Sequence, residues 1–319
     1  MDTPVSENTL TEATVSYENS AEEATQSASL SEGKPKGGWR DYLSVTKVGI
    51  TVSNLMTVFA GIWIACDGPL PLGTALLAML GSALVIMSGT SLNNYIERDL
   101  DVLMARTKTR ALPEGRISAQ SVLRMGIILG IVGTLILASL NPLTALLGIV
   151  ALFFYVVVYT MWTKRTTTLN TLVGGVSGAM PPVMGYAAVT GTMDATAWVL
   201  FAVLFIWQCP HFLALAMRRA DEYRNAGFQM LPAVRGFEVT KRHILRYTAA
   251  LVPVTLLFYG LHEVGRVYLI GMGLLGAGYV ALNVSGLFMK DTMKFARMSF
   301  VYSLVYLVMF TVLVMIDRV

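Results

Sequence analysis

The chain has 319 residues, of which 55% are hydrophobic and 14% are charged. These proportions exclude a soluble globular domain of this length and predict a polytopic membrane protein. The net charge of +4 is unevenly distributed, because residues 1–38 hold seven acids and two lysines and the remaining chain therefore carries +9.

Residues 1–38 differ in composition from the rest of the chain. They are rich in Ser, Thr, Glu and Ala, contain one aromatic residue, Tyr17, and have no sustained apolar run. Such a composition predicts disorder. The segment also lacks the basic start and apolar centre of a secretory signal. We therefore expect a solvated cytoplasmic tail, followed by a membrane domain over residues 39–319.

Nine apolar stretches follow, each near the length of about 20 residues that crosses a hydrocarbon core of about 30 Å. They are predicted at about 43–66, 70–92, 119–140, 142–162, 171–190, 195–217, 243–262, 266–289 and 297–316. We expect an all-α fold with nine transmembrane helices around a central cavity. Because Cys66 and Cys209 are then at opposite membrane faces, no disulfide is expected between them.

The basic residues predict the orientation in the membrane. With the N-terminus in the cytoplasm, only Arg266 and Arg318 fall on the outer side of the predicted spans. By the positive-inside rule we expect a cell-membrane protein with a cytoplasmic N-terminus and, after nine spans, an outer C-terminus. The long charged inner loops, 93–118 and 218–242, are expected to carry the function.

The first of these loops begins with polar side chains at the end of an apolar stretch. Asn93, Glu97 and Asp101 are spaced i, i+4, i+8, which keeps them on one helix face. A solvated helix end is the simpler interpretation, but carboxylates beside cations at the edge of a bilayer favour a divalent-metal site. Asn94 points about 100° away and is a supporting candidate ligand, whereas Asp99 lies largely on the opposite side.

Basic residues follow this acidic row. Arg106, Lys108 and Arg110 alternate, which would put all three on one side of an extended segment. They are interpreted either as anchors for lipid phosphates or as ligands for diphosphate oxygens, to which arginine offers bidentate contacts. Lys164 and Arg165, after the fourth span, have the same two interpretations.

The second loop also places acids and bases just inside a membrane helix. His211 follows Cys209-Pro210 and is either a helix-end hydrogen-bonding residue or a contact for metal, diphosphate or heme. Asp221 and Tyr223 come shortly afterwards. Because the two loops are four spans apart, an internal duplication with both loops facing one cavity is expected.

These residues carry a resemblance to a known family. The pattern Asn93-Asn94-x-x-Glu97-x-x-x-Asp101, followed by Arg106-Thr107-x-x-Arg110, resembles the first acidic motif of the UbiA superfamily of intramembrane prenyltransferases, usually Asn-Asp-x-x-Asp-x-x-x-Asp. Three stretches resemble the protoheme IX farnesyltransferase (heme O synthase) branch of that superfamily. They are Asn93 to Arg116; Lys164-Arg-Thr with Asn170 and Gly174 to Pro182; and Trp207 to Phe212 with Asp221-Glu-Tyr and Ala226 to Pro232.

The resemblance covers about residues 40–316 and includes some departures. Asn94 and Glu97 stand where aspartate is usual, and both keep an oxygen ligand. Ala111 and Cys209 replace common prolines. The second acidic motif is represented by Asp221, without a plain upstream acid.

The resemblance implies transfer of a farnesyl group from farnesyl diphosphate to a vinyl group of heme B. Mg²⁺ is the implied cofactor, and its implied ligands are Asn93, Asn94, Glu97, Asp101 and Asp221. Three of these ligands, Asn93, Glu97 and Asp101, are also implied in catalysis, together with the cations Arg106, Lys108 and Arg110. Further substrate contacts are expected from Lys164, Arg165, His211, Asp221 and Tyr223. Besides membrane lipid, a heme A synthase or terminal oxidase assembly factors are candidate partners, and nucleic acid is not expected.

Two alternatives stay open from the sequence. A quinone or chlorophyll prenyltransferase would share the first motif but not the Cys209 to Phe212 and Ala226 to Pro232 patterns. A membrane transporter or assembly subunit with an anion site would bind through the same polar loops without reacting.

Overall fold

The computed structural model describes residues 37–319, and in that part of the chain the only non-helical regular pairing is an isolated antiparallel bridge between Val264 and Arg318. The helices are α1 (Trp39–Val45), α2 (Val48–Ile64), α3 (Leu72–Asp101), α4 (Ala119–Leu140), α5 (Pro142–Thr166), α6 (Asn170–Thr190), α7 (Ala195–Met217), α8 (Ala220–Asn225), α9 (Leu231–Arg235), α10 (Phe237–Gly260), α11 (Arg266–Phe288) and α12 (Thr292–Ile316).

Seven of these helices, α3 to α7, α11 and α12, are long and apolar enough to cross a membrane. The pair α1 and α2, bent by 52°, is together long and apolar enough for an eighth span. Helix α10 has 24 residues, but its first turns are charged, so it is less apolar than the others. These nine segments correspond to the nine predicted spans, and the all-α integral membrane fold is confirmed.

The two inner loops are more helical than predicted. Helix α3 continues past the predicted end at residue 92 to Asp101, so the first loop covers 102–118 and not 93–118. The second loop, predicted over 218–242, contains α8, α9 and the start of α10. Helix α3 continues because Asn93, Glu97 and the terminal Asp101 turn inward and are buried against neighbouring elements.

The crossing of α2 and α6 depends on glycine. A Cβ atom added at Gly61 would lie 1.9 Å from the carbonyl oxygen of Pro182, and one added at Gly185 would lie 2.0 Å from the carbonyl oxygen of Val58. The atoms in the way are backbone atoms, which cannot turn aside as a side chain can. The two helices therefore pack at this distance only with glycine at both positions.

Helix α5 contains a π-helical section over Phe154–Thr163. The hydroxyls of Thr160 and Thr163 donate to carbonyl oxygens five residues earlier, those of Tyr155 and Val158, at 2.8 and 2.9 Å. Short π-helical stretches inside α-helices are frequent at functional sites. This section faces the end of α3.

The two ends of the helical bundle differ in charge. Within residues 37–319, every ion pair lies at the end that holds the loop 102–118 and helices α8 and α9. The opposite end is closed by short connections and by the last residues of the chain, where the Arg318 guanidinium donates to the carbonyl oxygen of Trp63 at 2.5 Å. The charged end is therefore where a polar site can be built.

The predicted tail falls almost entirely on residues 1–36, which lie outside the described part of the chain. Gly37 and Gly38, the last two residues of that tail, are described, and the backbone N–H of Gly37 donates to the carbonyl oxygen of Arg116 at 2.9 Å. Cys66 and Cys209 are both free thiols, as predicted.

Candidate active site

The last turns of α3 form a buried row of oxygen-bearing side chains. Asn93 and Glu97 are each 3% exposed and Asp101 is 1% exposed, so the predicted common face is confirmed. Asp99 points to the opposite side, with an 80% exposed side chain that pairs with Arg98. We call Asn93, Glu97 and Asp101 the acidic row.

Each carboxylate of the acidic row pairs with a cation from another element. The Lys164 Nζ donates to Glu97 Oε1 at 2.5 Å, and the Arg110 guanidinium donates to Asp101 Oδ2 at 2.7 Å. Buried carboxylates are costly unless they are paired, so these cations stabilise the row inside the protein. Lys164 comes from the end of α5 and Arg110 from the loop 102–118.

The amide side chains of the motif are also engaged. The Asn93 Nδ2 donates to Thr160 in the π-helical section at 3.3 Å, and its Oδ1 accepts from Lys47 at 3.0 Å. Asn94 uses its Nδ2 to hold the carbonyl oxygen of Val45 at 3.0 Å and presents its Oδ1 to Arg110 at 3.4 Å. Asn93 therefore belongs to the acidic row, whereas Asn94 mainly fastens α1 to α3.

The loop 102–118 is a series of turns, so the prediction of an extended segment was wrong. Backbone N–H groups of Thr107 and Lys108 both donate to the carbonyl oxygen of Met104, which winds the chain instead of extending it. Arg110 consequently turns inward to Asp101, while Arg106 and Lys108 are exposed. The three cations do not share one side.

The second inner segment covers the acidic row from the other side. The Phe228 ring lies 4.4 Å from the Lys164 Nζ, and the backbone N–H of Gln229 donates to the Lys164 carbonyl oxygen at 3.2 Å. Tyr223 packs against Phe228, and burial raises the pKa of Tyr223 despite the positive charges of Arg106 and Arg219. The two inner segments thus meet over one site.

Three other candidates lie outside this cluster. The side chain of Asp221 is 88% exposed and pairs with Arg224 at 2.7 Å, so the structure does not bring it to the acidic row. His211 lies between α7 and α12, where its Nδ1 is 2.8 Å from the Ser303 hydroxyl and its ring stacks on Trp207. Arg165 is exposed next to the buried Lys164.

Sequence reasoning missed Lys47, Thr160 and two tyrosines of α5, Tyr155 and Tyr159. The Tyr159 ring lies 5.8 Å from the Lys164 Nζ and stacks on Tyr155. Spacing within the π-helical section brings these side chains to α3, and no sequence pattern signals that section. One signal in the sequence could have identified Lys47, because it is a lysine inside an otherwise apolar stretch.

A separate cavity of about 310 Å³ lies between the start of α6, helix α7, α9 and α10. Its polar lining includes Arg235, His243, Tyr247 and Thr168, and leucines form much of the remainder. Leu231 in its wall follows directly on the segment that covers Lys164. The cavity is therefore a neighbour of the acidic row and distinct from it.

The residues of the acidic row suit a hard divalent cation. Asp101 Oδ1 is buried and has no hydrogen-bond partner among the described residues, and all the donors are oxygens of the kind that Mg²⁺ prefers. Within residues 37–319 no three His, Cys, Asp or Glu residues group so as to hold a metal, because the row has two carboxylates and its third donor is the amide of Asn93.

Comparison with known proteins identifies the family. The model of the UbiA prenyltransferase family matches residues 54–312. The protoheme IX farnesyltransferase of Alkalihalophilus pseudofirmus is 50% identical over 299 residues, which cover 92% of this chain and 95% of that protein. The protoheme IX farnesyltransferase 2 of Bacillus subtilis is 45% identical over 279 residues, with 86% and 90% covered.

Solved structures share the fold. A digeranylgeranylglyceryl phosphate synthase has a TM-score of 0.73 at 17% identity and covers 86% of this chain and 98% of its own. A UbiA homolog from Archaeoglobus fulgidus bound to DMAPP and Mg²⁺ has a TM-score of 0.66 at 15% identity, with 86% and 99% covered. Identities this low show the fold alone, but the family model and the curated relatives span most of the sequence. The chain therefore belongs to the UbiA prenyltransferase family.

Proposed function

We propose that this protein transfers a farnesyl group from farnesyl diphosphate to a vinyl group of heme B, giving heme O and diphosphate. The observation that carries the proposal is the buried acidic row with its three surrounding cations, Lys47, Arg110 and Lys164, at the charged end of the bundle. The choice of heme as acceptor is supported by relatives that are 44–50% identical and are named protoheme IX farnesyltransferases.

Asn93, Glu97 and Asp101 would hold Mg²⁺ together with the diphosphate. Magnesium bound there supplies positive charge that neutralises the diphosphate and eases its departure. The unpartnered Asp101 Oδ1 offers it an oxygen directly, whereas Glu97 Oε1 and Asn93 Oδ1 already accept from Lys164 and Lys47. Asn94 and Asp221 are second-choice ligands, since Asn94 is engaged at α1 and Asp221 faces solvent.

The cations stabilise the leaving group. The C–O bond to the farnesyl C1 breaks, and the electron pair leaves with the diphosphate, whose growing charge is met by Arg110 and Lys164. Arg106 and Lys108, exposed on the same loop, reach the diphosphate only if the loop closes on it. The heme vinyl carbon attacks C1, and water adds to the resulting cation and loses a proton to give the hydroxyethyl group of heme O.

The cavity beside the acidic row is our proposed contact for the heme propionates. Arg235 and His243 line it with Tyr247 and Thr168, and its leucines suit an apolar ring edge. Since Arg235 lines this cavity and Lys164 lies in the acidic row beside Glu97, Arg235 is a better propionate partner than Lys164. Tyr223, which packs on Phe228, would lie on the acidic-row side, and His211 connects α7 to Ser303 of α12.

The charged end of the bundle is proposed to face the cytoplasm. The positive-inside rule supports this orientation, because Arg266 and Arg318 are the only basic residues within residues 37–319 at the opposite end of the bundle. The acidic row would then receive farnesyl diphosphate from the cytoplasmic side, and the C-terminus would lie outside.

The test is to incubate purified protein with heme B, farnesyl diphosphate and Mg²⁺ and to analyse the heme by mass spectrometry. We expect a farnesylated hydroxyethyl heme, loss of product on chelation, and its return when Mg²⁺ is restored. A folded protein that leaves heme unmodified would refute the proposal. A prenylated quinone in a parallel incubation would instead assign the chain to a different branch of the family, and diphosphate binding without either product would favour a non-enzymatic role.

A further inference from the structure

Lys47 occupies an unusual backbone position at the break between α1 and α2. It is one of two non-glycine residues in the described chain with positive φ, at 50°, and the helices on its two sides are bent by 52°. Left-handed backbone is unfavourable for a side chain with a Cβ, and such residues persist where surrounding structure holds them. The position therefore calls for a reason beyond connecting two helices.

Two hydrogen bonds that do not involve the Lys47 side chain already join the break to α3. The Thr90 hydroxyl donates to the carbonyl oxygen of Thr46 at 2.8 Å, and the Asn94 amide donates to the carbonyl oxygen of Val45 at 3.0 Å. These two bonds join the backbone of the break to the helix that carries the acidic row. The attachment of the break to α3 therefore does not depend on the Lys47 ammonium alone.

That ammonium is aimed at the acidic row. The Lys47 Nζ donates to Asn93 Oδ1 at 3.0 Å, and its side chain is half-buried. Lys164 is paired with Glu97 and Arg110 with Asp101, so Lys47 is the basic side chain at the acidic row that has no carboxylate partner among the described residues. A neutral amide oxygen is a weak partner for an ammonium group compared with an anion.

We propose that Lys47 is a further diphosphate-binding residue, which moves from Asn93 Oδ1 to a diphosphate oxygen when substrate binds. This inference rests on the proposed function and names an additional contact for its donor substrate. Lys47 then gains the anionic partner that it lacks in the acidic row, and the Asn93 oxygen becomes available to the metal. Lys47, with its left-handed backbone, thus contributes a side chain from the break between α1 and α2. The rest of the site is built from α3, α5 and the loop 102–118.

The test measures binding of inorganic diphosphate with Mg²⁺ to the purified protein, by calorimetry, beside steady-state kinetics with farnesyl diphosphate. Lys47→Gln keeps an N–H donor for Asn93 but removes the charge. We expect its affinity for diphosphate to fall about tenfold to hundredfold, as for a lost charged hydrogen bond. The KM for farnesyl diphosphate should rise, and Lys47→Arg should recover most of the affinity.

Two controls separate binding from structure. Thr90→Val removes a fastening bond of the break and keeps the lysine, and Arg98→Gln removes an exposed cation from the far face of α3. Both should bind diphosphate like the unaltered protein. The inference is overturned if Lys47→Gln binds diphosphate normally, or if Thr90→Val weakens binding equally. Failure of the proposed function has a different signature, because the unaltered protein would then make no farnesylated heme whatever Lys47 does to diphosphate affinity.

Discussion

Asp101→Asn is the substitution that most directly tests the acidic row. Asp101 is 1% exposed, and its Oδ2 accepts from the Arg110 guanidinium at 2.7 Å while its Oδ1 has no hydrogen-bond partner among the described residues. Asparagine has nearly the same shape, so packing is kept. The change removes one of the two negative charges available to a metal and its diphosphate.

The cost in stability should be small compared with the cost in activity. Breaking a buried ion pair by removing one partner costs about 3–5 kcal/mol. Here the new amide oxygen still accepts from Arg110, whose side chain is 21% exposed and also reaches Asn94, so we expect about 1–2 kcal/mol. Loss of a charge aimed at the reacting group should lower turnover about 100-fold to 1000-fold.

Heme product formation, quantified by mass spectrometry at saturating substrates, checks the activity, and thermal unfolding in detergent checks the fold. The matched control is Asp99→Asn, two residues earlier on α3, where the side chain is 80% exposed. It should retain activity within about twofold, since exposed ion pairs contribute about 0–1 kcal/mol. The reasoning is refuted if Asp101→Asn stays within threefold of the unaltered protein, or if Asp99→Asn loses as much.

Three further predictions follow from neighbouring features. Arg235→Gln should raise the KM for heme B about tenfold and leave the KM for farnesyl diphosphate unchanged, because Arg235 lines the separate cavity. Steady-state kinetics that show the reverse pattern would mean that the cavity does not bind the acceptor. Lys164→Met should destabilise the protein by about 3–5 kcal/mol by leaving Glu97 buried and unpaired, and adding Glu97→Gln should recover the unfolding temperature but no activity. Gly185→Leu should lower the unfolding temperature and the yield of folded protein, since even a Cβ would lie 2.0 Å from a backbone oxygen of α2, whereas Gly49→Ala, with open space around it, should not.

The spans and the acidic row were predictable because each rests on a local pattern. Apolar length predicted nine membrane segments, and the i, i+4, i+8 spacing predicted one face for Asn93, Glu97 and Asp101. The continuation of α3 was missed because hydropathy falls at Asn93. That fall marks the end of an apolar stretch, and it cannot report that the polar residues after it are buried against other helices.

The partners of the acidic row were less accessible to sequence reasoning. Lys164 was a candidate as an anion contact, yet nothing in its surroundings along the chain specifies Glu97, which lies 67 positions earlier. Lys47 is 46 positions from Asn93 and stands alone in an apolar stretch. Arg110 was identified, but with the wrong orientation, because alternation along the chain predicts a common side only if the segment is extended.

The arrangement of these partners explains how a membrane helix can end in buried acids. Glu97 and Asp101 lie at the charged end of the bundle but are 3% and 1% exposed, and unpaired carboxylates at such depth would oppose folding. Their counter-charges come from two separate parts of the chain, Lys164 at the end of α5 and Arg110 in the loop 102–118. The acidic row is thus neutralised only when these elements have assembled around α3, which links the formation of the site to the packing of the helices. The same cations then stand beside the position where a diphosphate would bind, so the groups that stabilise the folded site are those that a substrate anion would engage.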